Sequence, residues 1–388
     1  MTCDGDPVAS PAARQYLRLH LADWVGPIRV ANLLRRFGSV EAVLSASKTA
    51  LERVERVGPA TADAIVRARS DGAADEQLAR AGDLGIRILC LEDPEYPKAL
   101  ARIPDPPICL YVRGRLCPQD DAAIAIVGTR RCSRYGGEQA RRFGSLLAGA
   151  GFTVVSGLAR GVDGQAHEGA MEAGGRTIAV LGNGLPEIYP PEHEALAERI
   201  IEHGAVISEM PLGTAPDIGN FPRRNRVIAG LCAGVLVVEA PKQSGALSTA
   251  RYATEYDREV FALPGRVDTA LAFGTNRLIR DGARLVTCLE DILEEVQAVE
   301  RVAVPASGRS AAGEPVGSVE PTLFDPSPDE RRVLEALGED ELALETLREA
   351  CDIPVHRIMT ALMNLQLKGR VRQLPGSRFL RRDAAPGM

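Results

Sequence analysis

Short apolar runs separated by glycine-rich loops dominate residues 122–190. Three of them, Ala123–Val127, Phe152–Ser156 and Ile178–Leu181, are too short for independent helices, and a glycine follows each one. This pattern is typical of buried parallel strands. Apolar residues recur at helical spacing between the runs, so the order of elements predicts a right-handed, doubly wound α/β unit. Ligands of such sheets bind outside the carboxyl ends of the strands.

Further short apolar runs extend this unit along the chain. They lie at Ile86–Leu91, Ile108–Val112, Ala205–Ser208, Val235–Val238 and Glu259–Ala262. The first two precede the parallel unit in a proline-rich stretch, and we expect them at the edge of the sheet. Helices are expected near Glu192–His203 and from about Gly245. We therefore predict a Rossmann-like, doubly wound and mostly parallel sheet domain over residues 76–300.

The first 75 residues have a helical pattern that contains an internal repeat. Val25–Leu34 and Val57–Val66 each consist of an apolar residue, a Gly-Pro turn and a helix with apolar residues on one face. The pair resembles two helix-hairpin-helix units, whose turn amides can contact a nucleic-acid phosphate. A small helical bundle that binds nothing fits the same pattern, since Gly-Pro also simply starts helices. We expect the single tryptophan, Trp24, in the core.

The last part of the chain is predicted to be a separate module. Residues 301–325 are rich in Ala, Ser, Gly and Pro, which is typical of a flexible linker. Residues 326–388 then contain three helical patterns, the last near Pro354–Lys368, and a basic hairpin, which is the order of a winged helix. Residues 290–349 hold 16 acidic and 5 basic side chains, which favours contact with a protein over binding of duplex DNA.

Composition excludes several classes of protein. The net charge of −6 argues against a general nucleic-acid coat, and eight scattered cysteines without a CxxC pair indicate neither a disulfide framework nor a metal site. No apolar stretch is long enough to span a bilayer, and the start of the chain lacks an apolar leader, so we expect a cytoplasmic protein without membrane contact. Of the 46 basic residues 42 are arginine, which fits either genomic bias or phosphate recognition.

Missing motifs exclude the commoner nucleotide enzymes. The chain has no GxxxxGK[ST] loop, no GxSxG and no HExxH, and the turn after the first parallel strand lacks the second and third glycines of GxGxxG. The five histidines are dispersed. We therefore expect no cofactor, no metal and no catalytic residue.

The remaining chemistry is a set of anion-binding turns. Glycines, hydroxyl side chains and arginines follow the predicted strands, and helix N-termini at one rim of the sheet would add amide donors. The run Phe221–Arg226 combines an aromatic ring with three arginines, which suits a single strand of nucleic acid. The candidate DNA-binding residues are Gly128, Thr129, Arg130, Ser156, Gly157, Phe221, Arg224, Asn225, Arg226, Ser244 and Gly245.

These residues lie in stretches that resemble the DprA (Smf) family of bacterial DNA-processing proteins. The stretches are AIVGTRRCSRYG, VVSGLARGVDGQAHEGAMEAGGRTIAVLGNG, SEMPLGTAPDIGNFPRRNRVIAGL, VLVVEAPKQSGALSTA and FALPGRV, within about residues 84–290. The resemblance implies a Rossmann-like fold that binds and protects single-stranded DNA, forms a homodimer and loads the RecA recombinase in natural transformation. By motif, it places DNA contacts on Gly128, Arg130, Ser156, Gly157, Phe221, Arg224, Asn225 and Arg226. A loop often found as SGSLITA is SGALSTA here, so a hydroxyl is lost at Ala246 and gained at Ser248.

An enzyme is the alternative hypothesis, because the fold also resembles the lysine-decarboxylase-like phosphoribohydrolases. Those enzymes carry PGGxGT with a nearby glutamate, whereas this chain has PKQSGALSTARYATE. Cleavage of a nucleoside monophosphate needs a carboxylate beside the ribose, and the candidates are Asp163, Glu239 and Glu255. We interpret Asp163 as a helix cap and Glu255 as too remote, which leaves Glu239. A nucleotide-sensing module is a third possibility.

Overall fold

The computed structural model describes residues 8–303, 328–337, 342–351, 370–374 and 378–381, together with a few residues between 357 and 365. The chain divides into two compact units, Met1–Val304 and Pro305–Met388. The first unit holds the helical N-terminal part and the α/β sheet, and the second unit holds the C-terminal module.

Six helices form the N-terminal part of the first unit. They are α1 (Pro11–Leu21), α2 (Pro27–Phe37), α3 (Val40–Ser45), α4 (Lys48–Glu52), α5 (Pro59–Arg67) and α6 (Ala73–Asp83). As the repeat predicts, α2 and α5 each begin with proline directly after a glycine N-cap. The two turns are tied together, because the Arg29 guanidinium donates to the carbonyl of Arg56 at 2.7 Å.

The prediction for Trp24 is wrong. Its side chain is 73% exposed, and its backbone has a φ of +63° in the turn between α1 and α2. The neighbouring turn residues Ala22 and Val25 are buried instead. Since a tight turn can direct only some of its side chains inward, the largest one is left in solvent.

A nine-stranded sheet forms the centre of the first unit. Its strands are β1 (Arg87–Cys90), β2 (Cys109–Gly114), β3 (Ala123–Val127), β4 (Thr153–Ser156), β5 (Thr177–Leu181), β6 (Ala205–Ser208), β7 (Gly234–Val237), β8 (Glu259–Ala262) and β9 (Arg284–Leu285). The spatial order is β1-β2-β6-β5-β4-β3-β7-β8-β9. In this spatial order, all neighbouring strands from β6 through β5, β4, β3, β7 and β8 to β9 pair in parallel. Strands β1 and β2 form the predicted extension at the edge of the sheet, and their pairing is antiparallel.

Helices connect these strands on both faces. They are α7 (Lys98–Ala101), α8 (Arg134–Gly149), α9 (Val162–Glu172), α10 (Glu194–His203), α11 (Asn220–Leu231), α12 (Ala246–Glu255), α13 (Phe273–Arg280) and α14 (Glu290–Ala303). Strand β3 lies between β4 and β7, with Ile124 opposite Val154 on one side and Gly234 on the other. From β3 the chain continues to β4 on one side of the sheet, whereas from β7 it continues to β8 on the opposite side. The topological switch point therefore lies between β3 and β7. This is the position at which open α/β sheets bind ligands.

The two faces of the sheet belong to two hydrophobic cores. Along β2, Tyr111 packs with the N-terminal helices, whereas Leu110 and Val112 pack with α7, α11 and α12 on the other face. This alternation is the period of two that a strand buried on both sides requires. The helices predicted over residues 1–75 therefore pack directly on the sheet and share a core with it.

The second unit contains α15 (Pro328–Leu337), β10 (Leu342–Ala343), α16 (Leu344–Cys351), β11 (Val371–Leu374) and β12 (Arg378–Arg381). The last two strands form the predicted antiparallel hairpin, and β10 pairs with β12. Most of the predicted third helix near residues 354–368 lies outside the described residues. So does the predicted linker, except residues 301–303, which end α14. Within the described ranges, no helix combines the length and apolar character that crossing a bilayer needs.

Helices α8 and α9 pack closely because glycines line their contact. An added Cβ would lie 2.4 Å from the Ala166 carbonyl oxygen at Gly144, and 2.0 Å from the Arg141 carbonyl oxygen at Gly169. We predict that Gly169→Ala lowers the free energy of unfolding by about 1–3 kcal/mol, because rigid backbone must move to admit the methyl group. Urea denaturation of the full chain measures this.

Gly149→Ala is the matched control for that prediction. Gly149 ends α8, and an added Cβ there meets nothing within 4 Å. Alanine favours the helix over glycine, so this variant should be as stable as the wild type or slightly more stable. Equal urea midpoints for the two variants would show that the close helix contact does not require glycine.

Candidate nucleic-acid interface

A cleft of about 500 Å³ opens at the switch point of the sheet. Loops that follow β3, β4 and β7 line it together with the first turns of α11 and α12. Its lining residues include Val127, Gly128, Thr129, Arg130, Arg131, Ala159, Asp163, Phe221, Arg224, Asn225, Gln243, Ser244, Gly245, Ser248 and Leu271. Most of the predicted site residues are thus brought together, although they come from distant parts of the sequence.

The loop after β3 presents two arginines to this cleft. The Thr129 amide donates to the Glu239 carbonyl at 2.8 Å, and the Thr129 hydroxyl accepts from the Arg131 amide at 3.3 Å. These bonds hold the loop while Arg130 and Arg131 remain exposed at the rim. Among the described residues, no carboxylate pairs with either guanidinium, so both charges are available to an anion. Arg131 was missed by the sequence analysis although it directly follows Arg130.

The Glu239 carboxylate is committed to the start of α8. It accepts from the Ser133 amide at 2.8 Å and from the Ser133 hydroxyl at 2.5 Å. Ser133 is the N-cap of that helix, and an added Cβ at Gly136 would lie 2.3 Å from Glu239 Oε2. A negative charge is favourable at a helix N-terminus. Glu239, the remaining candidate for a catalytic carboxylate, is therefore buried and does not line the cleft.

Asp163 closes the loop after β4 and does not cap α9. The N-cap is Gly161, and the buried Asp163 carboxylate accepts instead from the amides of Gly157 at 3.1 Å and Ala159 at 3.4 Å. Burial raises the pKa of Asp163, while the nearby Arg224 guanidinium acts in the opposite direction. The interpretation as a helix cap is therefore wrong, because the loop folds back over the carboxylate.

Arg224 cross-links the walls of the cleft from inside. Its side chain is buried, and Nη1 donates to the carbonyls of Gly157 and Val180, each at 2.5 Å. Burial lowers the pKa of Arg224 to about 10. An added Cβ at Gly157 would lie 2.2 Å from Nη1, so the glycine makes room for the guanidinium. Arg224 lines the cleft, but its Nη1 already donates to backbone carbonyls, and its Nε donates to the Asn225 side-chain oxygen at 3.2 Å.

Two predicted site residues lie away from the cleft. The Arg226 guanidinium is buried against the Glu209 carboxylate, with Nη2 at 2.6 Å from Oε1, and it also donates to the Asp105 carbonyl. Ser156 is fully buried, and its hydroxyl donates to the Ile126 carbonyl at 2.6 Å. Both residues therefore hold the framework of the sheet domain.

The start of α12 is tied to α11 through Asn225. Its side-chain amide donates to the Gly245 carbonyl at 3.1 Å and to the Ser248 hydroxyl at 2.7 Å. The hydroxyl gained at Ser248 thus has a partner, while Ala246 at the lost position is buried. Ser244 and Gly245 remain at the cleft, and the Ser244 hydroxyl accepts from the Ala246 amide at 3.3 Å.

Phe221 stands half-buried at the mouth of the cleft. The Arg130 guanidinium carbon lies 4.8 Å from the centre of its ring, a cation–π contact. The Tyr189 ring centre lies 5.7 Å from it at an interplanar angle of 34°. Tyr189 was also missed, although the loop that contains it follows the third predicted strand. The described residues contain no cluster of three or more His, Cys, Asp or Glu side chains that could hold a metal.

Fold and site together define an open α/β protein with a cleft at its switch point, lined by glycines, hydroxyl side chains and arginines. Exposed arginines beside an aromatic ring suit a chain of phosphates that carries planar bases.

The family model for DNA recombination-mediator protein A matches residues 87–297, the DprA winged helix domain matches residues 318–377, and a SAM-like helix-hairpin-helix tandem matches residues 23–71. The chain belongs to the DNA recombination-mediator protein A family, whose members include the DprA and Smf proteins.

Similar proteins support this assignment over most of the chain. Protein Smf of Synechocystis is 36% identical over 92% of this chain and 96% of its own. Protein Smf of Escherichia coli is 42% identical over 72% of this chain and 74% of its own. The X-ray structure of DprA from Streptococcus pneumoniae matches with a TM-score of 0.62 and 31% identity, over 72% of this chain and 95% of that one. The family resemblance, the fold class and the winged helix drawn from the sequence are therefore confirmed.

The buried position of Arg224 gives a prediction about stability. Arg224→Gln should lower the free energy of unfolding by about 3 kcal/mol or more, because two buried carbonyls lose their donor and the buried Asp163 carboxylate loses a nearby positive charge. Arg130→Gln, which changes an exposed arginine of the same cleft, should leave the urea midpoint unchanged. A stable Arg224→Gln protein would mean that this guanidinium does not hold the cleft together.

Proposed function

We propose that this protein binds single-stranded DNA in the cleft and acts as a recombination mediator. The observation that carries the proposal is the cluster of Arg130, Arg131 and Phe221 at the cleft, in which neither guanidinium has an acidic partner among the described residues. Charge recognises phosphate and the ring stacks on a base, and neither depends on the base sequence. Membership of the family supports the same function.

The predicted site residues take two roles in this proposal. Direct contacts to the strand come from residues at the mouth and rim of the cleft. They are the half-buried ring of Phe221, the exposed guanidinium of Arg130 and the loop residues Gly128, Thr129, Ser244 and Gly245. Indirect support comes from the residues that hold the loops in place, which are Ser156, Gly157, Arg224, Asn225 and Arg226. The hydrogen bonds and burial of the second group support this division.

Family membership also supports the wider part of the proposal. The protein protects incoming DNA and loads the RecA recombinase in natural transformation, acting as a homodimer in the cytoplasm. Its winged helix binds a protein partner, for which the acidic residues 290–349 are the supporting observation.

Binding to poly-dT is predicted to exceed binding to a duplex of the same length in a competition gel shift, with free nucleotides unable to compete.

Arg130→Gln should make the slope of log K against log salt shallower by about 0.7, the loss of one single-strand phosphate contact. Phe221→Ala should weaken binding by about 1–3 kcal/mol at an unchanged slope, because lost stacking releases no counterion.

Arg251→Gln is the matched control for these variants. Arg251 is an exposed arginine on α12, paired with Glu255, and it does not line the cleft. Its removal should change neither affinity nor slope. Equal affinity of the wild type for duplex and single strand would contradict the proposal, as would the same slope change in all three variants.

We also propose that the cleft has no hydrolase activity. The Glu239 carboxylate is engaged by Ser133, Asp163 is buried beneath loop amides, and Glu255 ends α12 far from its N-terminus. We predict that prolonged incubation with nucleoside monophosphates releases no free base, as measured by chromatography. Turnover that disappears in Glu239→Gln would favour the phosphoribohydrolase alternative.

A further inference from the structure

A second, much smaller cavity of about 10 Å³, room for about one water molecule, adjoins the cleft at Phe221. It is lined by Arg130, Gly157, Ala159, Arg160, Tyr189, Pro190, Phe221 and Arg224. Four of these residues, Arg130, Ala159, Phe221 and Arg224, also line the large cleft. They therefore form the wall between the two cavities, and Tyr189 lies on the far side of that wall.

Arg130 is the more weakly held of the two arginines in this wall. Arg224 is buried and bonded to backbone carbonyls, whereas Arg130 is exposed and is held by its contact with the Phe221 ring. An exposed cation–π contact contributes little to stability. Arg130 is therefore the arginine of this wall that a phosphate can engage without breaking a hydrogen bond to the backbone.

The small cavity, like the cleft, has an aromatic ring and an arginine in its lining. Tyr189 is partly exposed, and its ring lies 5.7 Å from that of Phe221. Arg160 lines the same small cavity, and its guanidinium pairs with Glu192 while both side chains stay about half exposed. Exposed ion pairs contribute little, so Arg160 can exchange this carboxylate for a phosphate.

We infer that Tyr189 is a second base-stacking residue, so that a single strand passes from the cleft over Phe221 and onto Tyr189 beside Arg160. The inference rests on the proposed single-strand binding and extends it to a second nucleotide position. Each position then consists of one aromatic ring and one arginine, which are Phe221 with Arg130 and Tyr189 with Arg160.

Tyr189→Ala should weaken binding of the full-length protein to a long oligo-dT by about five-fold to a hundred-fold, at an unchanged salt slope. Tyr189→Phe should bind as the wild type does, because it keeps the ring. The matched control is Tyr252→Ala: Tyr252 also lies beside a ring, that of Tyr256 at 5.9 Å, and under an arginine, Arg251 at 5.1 Å, yet it lines neither cavity. That control should bind as the wild type does.

A double-mutant cycle separates stacking from simple support of Phe221. If Tyr189 stacks on its own base, Tyr189→Ala should weaken binding by a similar factor in the wild type and in the Phe221→Ala background. No further loss in the Phe221→Ala background would overturn the inference, because Tyr189 would then act only by holding the Phe221 ring.

The two proposals fail in different ways in this experiment. If the protein does not bind single-stranded DNA in the cleft, the wild type will fail to bind oligo-dT, or Phe221→Ala will bind as well as the wild type. If only the further inference is wrong, Phe221→Ala will weaken binding, while Tyr189→Ala and Tyr252→Ala will both bind as the wild type does.

Discussion

The buried guanidinium of Arg224 joins three segments around the cleft that are distant in sequence. It donates to the carbonyl of Gly157 in the loop after β4 and to that of Val180 in β5, and it lies close to the Asp163 carboxylate. A charge in this position is costly unless every neighbour compensates it. The loop after β4, the start of α9 and the start of α11 are consequently held in one arrangement, on which the position of the neighbouring Phe221 depends.

The arginines of this region divide into those that hold the protein and those that face outward. Arg224 and Arg226, which belong to the first turns of α11, are buried and bonded to carbonyls or to Glu209. Arg130 and Arg131 lie on a loop at the rim and face solvent. The planar guanidinium suits both tasks, because its fork of donors fits a carbonyl cluster as well as a phosphate. Counting arginines therefore overestimates the number of phosphate contacts.

Glycines set the positions of the charged and aromatic side chains around the cleft. An added Cβ at Gly136 would reach the Glu239 carboxylate, one at Gly157 would reach Arg224, and one at Gly182 would lie 2.9 Å from Cδ1 of Phe221. Each glycine thus leaves the space that one functional side chain occupies. A site of this kind depends on close approach of backbone and side chain, as the helix contact at Gly169 also does.

The sequence by itself determined every strand of the large sheet except β9, the mostly parallel class of the sheet and the edge at which the candidate site lies. The runs Ala123–Val127, Ala205–Ser208 and Glu259–Ala262 have the predicted bounds, because burial on both faces requires continuous apolar residues. Which residues face the cleft was decided by tertiary structure alone. A local pattern shows that an arginine is present, but the pairing of Arg226 with Glu209 requires two segments that meet only in the folded chain.

The same reason explains the residues that sequence analysis missed. Tyr189 approaches Phe221 only because the loop after β5 and the start of α11 converge beyond the carboxyl ends of the strands. Trp24 is exposed because its turn buries its smaller neighbours. Periodicity reports the faces of helices and strands, whereas a side chain in a loop takes its direction from backbone angles and from the elements packed around it.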